Sequence, residues 1–153
     1  MGYPRKPFSW LEDFPRRRRL EQSARLAFPD MFIGRARRGG KLYDVYILTL
    51  DVPGYDSRKV QIEFRHKLGR NPAIFADGPA GRSSSPHRYL EREGTRLCIW
   101  YPGDPPDRQW LPEDGLLALL GMIQEHLFKE AYWRENGVWL GEEAPHSPEK
   151  ERA

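Results

Sequence analysis

The chain has 153 residues, 39% apolar and 31% charged, with one cysteine and a formal net charge of +3. That length supports a single domain with a core of its own, and a lone thiol excludes an internal disulfide framework. No apolar run reaches membrane-spanning length, and the opening Met1-Gly2-Tyr3-Pro4-Arg5-Lys6 lacks the apolar stretch of a secretory signal, so a cytoplasmic protein that meets no membrane is expected.

The charge is unevenly placed: residues 1–41 hold eleven Lys/Arg against four Asp/Glu, and residues 42–153 hold 14 against 18. Ser9 can cap a helix running to about Ala27, with Leu11, Phe14, Leu20, Ala24 and Leu26 as its apolar contacts and Phe28-Pro29 as its stop. Pro15 interrupts that pattern and suits a first helical position, which would start the helix there. The run Arg16, Arg17, Arg18, Arg19 reads as a solvated helix face, as a phosphate-binding patch, or as a docking surface for an acidic protein partner. Nucleic acid is not the partner expected.

Met31 to Arg38 and Lys41 to Leu50 flank Gly39-Gly40, a two-residue loop of the type that primed hairpin turns favour, and predict a β-hairpin. Pro53-Gly54 then turns the chain into Lys59-Val60-Gln61-Ile62-Glu63-Phe64, whose alternation predicts a half-exposed antiparallel strand, and Pro72 to Ala76 reads as a fourth. From Asp77 to Pro112, Gly, Pro and Ser are so dense that a long irregular loop is expected, of the kind that carries function. Glu113 to Arg134 predicts a helix with Leu116, Leu119, Leu120, Ile123, Leu127 and Ala131 on one face, Glu113-Asp114 at its dipole-favoured start and Asn136-Gly137 at its stop. The expected domain is residues 1–141, followed by a polar, mobile tail over 142–153. A helix, a four-stranded antiparallel meander, a long loop and a closing helix make an α+β fold.

Two residues in the long loop carry the chemistry. Cys98 follows His87 by eleven positions, and an imidazole near a thiol can tune or assist it as a nucleophile. The triplet Leu97-Cys98-Ile99 is apolar, however, and suits an inert core thiol equally well. Trp100 and Trp110 read as packing aromatics that fix the loop. His66 and His126 form no metal-ligand spacing, and neither a Walker-type loop nor a dinucleotide fingerprint occurs, so no cofactor and no metal are expected.

His87, Gly94, Leu97-Cys98 and Trp110-Leu111-Pro112 follow the order and approximate spacing of the active-site segment of ubiquitin-conjugating enzymes, which this chain resembles. The stretch from Leu97 to Pro106 is closer still to the bacterial conjugating-enzyme-like proteins of anti-phage CBASS operons. Two departures are visible. His87-Arg88-Tyr89 replaces the family's His-Pro-Asn, and Trp110 lies a few residues further from the cysteine.

The resemblance implies a ubiquitin-conjugating (UBC-like) fold and a cysteine-dependent protein-conjugating acyltransferase. Cys98 would take the C-terminus of a partner protein as a thioester, with His87 assisting or holding the loop. Tyr89, in the place of an asparagine that supports the loop or the oxyanion, and Asp104, an acid near the cysteine, would support it. The implied partner is a cGAS-like nucleotidyltransferase, or another ubiquitin-like protein, and, with no adenylating domain in the chain, the carboxylate would be activated either by a borrowed activating enzyme or on the partner by some other route. Arg16 to Arg19 would face the upstream partner. The alternative is a non-catalytic binding module of the same fold.

Overall fold

The computed structural model describes residues 14–65, 72–79, 84–91, 94–99 and 109–141. Helix α1 (Phe14–Ala27) buries a short stripe, Leu20, Glu21 and Ala24. Leu20 and Ala24 lie one turn apart and so share a face. The expected contacts at Phe14 and Leu26 are not made, since these side chains are 78% and 81% exposed. At about 3.6 residues per turn, Leu26 points away from the side that Ala24 occupies two positions earlier. The helix runs out where Phe28 donates its N–H to the Ala24 carbonyl and Pro29 follows. Ser9 and Leu11 lie outside the described residues.

Strands β1 (Phe32–Arg38) and β2 (Lys41–Val52) form the expected hairpin, closed by the pair Arg38 and Lys41. Gly39 and Gly40 have φ of 55° and 74°, a left-handed pair that a primed turn requires and that glycine adopts without strain. Pro53-Gly54 joins β2 to β3 (Tyr55–Arg65), which in turn pairs with β4 (Ala73–Ala76). Register decides what goes inside. Tyr46 lies opposite Ile62 and Leu48 opposite Val60, so the two-residue period of each strand delivers Tyr46, Leu48, Leu50, Val60, Ile62 and Phe64 to one core.

The sheet continues beyond this four-stranded meander. β5 (Arg88–Glu91) and β6 (Gly94–Leu97) form a second hairpin, and the six strands lie in the order β1-β2-β3-β4-β6-β5, antiparallel throughout. Part of the segment expected to be irregular is therefore regular. The Gly, Pro and Ser residues cluster at 78–86 and 102–106, on either side of the hairpin, and leave Tyr89-Leu90 and Thr95-Arg96-Leu97 free to pair.

Both helices contribute to the one core. α2 (Leu116–Asn136) presents Leu116, Leu119, Leu120, Ile123 and Leu127, as its periodicity predicts, against the sheet residues, Leu20 and Ala24. Trp110 is buried among them and donates its indole N–H to the Gly115 carbonyl at 2.8 Å. Glu113 and Asp114 do not start this helix. They belong to a separate 3-10 turn (Pro112–Asp114), where the Asp114 carboxylate accepts the Leu111 N–H, and Gly115 at φ 85° separates that turn from α2. Gly137, with φ 72° and ψ 10°, ends α2 in the left-handed cap that Asn136-Gly137 predicts, its N–H donating to the Trp133 carbonyl.

Candidate functional site

The register of the β5–β6 hairpin explains the eleven-residue spacing of His87 and Cys98. Arg88 pairs with Leu97, and the ladder runs one step further because the Cys98 N–H donates to the His87 carbonyl at 2.9 Å. The two residues therefore stand directly opposite one another where the strands end, as cross-strand neighbours on one face of the hairpin. Cys98 is a partly exposed residue and is not among the buried core residues.

A pocket of 120 Å³ opens at this point, lined by His87, Cys98 and Ile99 from the hairpin and by Met122, Glu125, His126 and Lys129 from α2, with Trp139 beyond the helix end. Trp139 reaches it because the left-handed cap at Gly137 turns the chain back. Its ring centroid lies 4.2 Å from that of His87 and 5.5 Å from that of His126, and the two imidazoles are 6.2 Å apart, edge to face. Lys129 and Glu125 pair at 2.9 Å on the rim. His126 is buried, and burial is the main cause that brings its pKa down from 6.5 to about 4; nearby His87, Arg88 and Lys129 act in the same direction and Glu130 opposes them. The ring is thus neutral near pH 7.

Arg88 holds the hairpin in place. Its Nε and Nη2 donate to the two carboxylate oxygens of Glu130 at 2.8 and 2.7 Å, and its Nη1 donates to the carbonyls of Ala76 and Asp77 and to Thr95 Oγ1. Both side chains of this fork-on-fork pair are 1% exposed. Burial works against the Glu130 charge, but the hydrogen bonds and charge of Arg88, helped by Arg134, outweigh it and hold the carboxyl below its ordinary value. Arg134 also reaches Ser84 and Ser85, so α2 grips both the approach to the hairpin and the hairpin itself.

A family model described as "Type II CBASS E2 protein" matches residues 23–147, well over half of the chain. The chain belongs to the type II CBASS E2 proteins. No curated protein and no solved structure matches it. No helix among the described residues is long and apolar enough to cross a membrane, and none of their His, Cys, Asp and Glu side chains form a group able to hold a metal ion.

Of the residues singled out from the sequence, this E2 protein brings Cys98 and His87 together. The backbone of Tyr89 runs in β5; its side chain, Trp100 and Asp104 lie outside the described residues, as do His66 and the tail from residue 142. The four arginines of α1 are not equivalent. Arg16, Arg18 and Arg19 are exposed, whereas Arg17 is only partly so and is engaged with the fold. It pairs with Glu21 at 2.9 Å and with buried Asp44 at 3.4 Å, while Tyr46 donates its hydroxyl to Glu21 at 2.6 Å and Arg25 pairs with the other Glu21 oxygen. The reading of all four as surface charges is corrected at Arg17, which fastens α1 to β2.

Two site residues, His126 and Trp139, were not picked out from the sequence. His126 had a signal: Leu119, Ile123, His126 and Glu130 continue one stripe at spacings of four, three and four, so two polar residues fall where the helix is buried. A polar residue at such a position has a partner or a task. Trp139 had none, because its approach to His87 follows from the turn at Gly137 and from the placement of the hairpin.

Proposed function

We propose that this E2 protein is an acyl carrier, in which Cys98 takes the C-terminal carboxyl of a partner protein as a thioester and passes it to an amine. The partner we infer is a cGAS-like nucleotidyltransferase in a bacterial antiviral system, its carboxyl activated by a separate activating enzyme or by another route. The observation that carries the reading is the position of Cys98: partly exposed at the end of a strand, opposite His87, and opening onto a pocket beside α2. A thiolate is a strong nucleophile near neutral pH, and its thioester stays reactive toward amines. The exposed Arg16, Arg18 and Arg19 suit α1 for docking an acidic partner surface, an interaction that weakens as salt rises.

The adduct itself is the test. Mixed with its nucleotidyltransferase and an activation source, the protein should form a conjugate that hydroxylamine or a thiol reductant dissolves. Cys98→Ser should replace it with a longer-lived oxyester, since an alkoxide leaves less readily than a thiolate, and Cys98→Ala should abolish it. An adduct that persists in Cys98→Ala, or none in the complete mixture, would remove the carrier mechanism and leave a non-catalytic binding module.

A further inference from the structure

His126 is a buried group that thioester formation on Cys98 does not use. The residue is 6% exposed, and its Nε2 is buried with no hydrogen-bond partner among the described residues. A buried ring nitrogen left unpaired destabilises the protein that carries it, and an apolar residue at the same place on α2 would avoid that cost. The pocket that His126 shares with Cys98 measures 120 Å³, ample room for the carbonyl of an acyl group. A hydrogen-bonding partner arriving there on the sulfur of Cys98 would satisfy the nitrogen.

The state of the ring decides what it offers. His87, Arg88, Lys129 and Glu130 act on it electrostatically, and Glu125 and Cys98 share its pocket. With burial as the dominant influence, the imidazole stays neutral down to about pH 4. A base that weak cannot hold a proton taken from a thiol whose ordinary pKa is about 8.5. A neutral imidazole still has one N–H, and an N–H held in place on a buried ring is a fixed donor to an oxygen that gains negative charge.

We propose that His126 is a catalytic residue of the transfer step, its Nε2–H donating to the carbonyl oxygen of an acyl group carried on Cys98. This rests on the carrier reading above. An amine nitrogen attacks the carbonyl carbon, the N–C bond forms, and the C=O π pair moves onto the oxygen, where Nε2–H meets it. Collapse restores the C=O bond and breaks the C–S bond, and Cys98 leaves as a thiolate. The proton lost by the amine passes through solvent to the sulfur, so an acyl thioester and an amine give an amide and the free thiol. His126 keeps its own proton throughout.

The test uses the full chain with Cys98 acetylated by p-nitrophenyl acetate, and follows transfer of the acetyl group to hydroxylamine by intact mass. Alkylation of free Cys98 by iodoacetamide is measured beside it, because that displacement develops no oxyanion. His126→Phe should slow acetyl transfer about 100-fold or more while alkylation changes by less than about threefold, and His126→Gln, which keeps an N–H, should recover part of the loss. If the Phe variant does not fold, His126→Met serves as the donor-free variant. Acetyl transfer at the wild-type rate in the donor-free variant, equal slowing in that variant and in His126→Gln, or a parallel fall in alkylation would overturn the assignment. The acetyl probe needs no protein partner. A donor-dependent acetyl transfer without any partner adduct therefore keeps His126 and removes the carrier role, whereas a partner adduct with donor-independent transfer does the reverse.

Discussion

Arg88 positions a thiol ten residues away in sequence by satisfying a carboxylate in α2. Its fork meets Glu130 where neither side chain is more than 1% exposed, so removing one partner strands a charge away from water. Arg88→Met is expected to lower stability by about 3–5 kcal/mol, and Glu130→Leu by a similar amount, as for other buried pairs broken on one side. The double replacement should recover much of that loss, because two apolar groups need no mutual partner. Urea denaturation of the four proteins measures the coupling. Losses that simply add would show that the two residues act independently.

At the scale of the helix, α1 divides its arginines between holding the fold and facing solvent. Arg17→Glu sets a third carboxylate beside Glu21 and Asp44 and should cost about 2–3 kcal/mol, whereas Arg18→Glu, on the exposed side, should stay within about 0.5 kcal/mol. Chemical denaturation distinguishes them, and a partner-binding experiment on this helix is cleanest with Arg18 and Arg19 alone. The elements with local causes were readable from the sequence. Gly39-Gly40 dictates its turn, and the leucine stripe and Gly137 dictate α2 and its end. The β5–β6 hairpin was not readable, because four-residue strands between Gly- and Pro-rich stretches take their stability from β4 and from the Arg88 tether. The site was half legible: the spacing of His87 and Cys98 is local, but Glu130 lies 42 residues from Arg88 and Trp139 arrives from beyond the last helix.

The whole molecule should be sensitive to acid well above the range where carboxylates titrate. In the unfolded chain His126 binds a proton near its ordinary 6.5, but in the fold only near 4. Between those values the unfolded state holds more protons, so stability is complete above about pH 6.5 and falls as pH drops, by about 3 kcal/mol in total from this residue. Glu21 and Glu130, held below 4.5 in the fold, add a second loss as pH falls below 4.5 and through their lowered values. Denaturation midpoints at pH 7.5, 5.5 and 4 should therefore decline in two stages, and His126→Gln should remove the first. A flat profile from pH 7.5 to 5.5 in the wild type would show that His126 accepts its proton without penalty. The family match spans residues 23–147 and so takes in both Arg88 and Glu130. Because a lone change at either position strands a buried charge, divergence within the family has a narrow path through this pair. Lineages should keep both residues or exchange both, and an alignment should show the two columns varying together even where the residues around them drift.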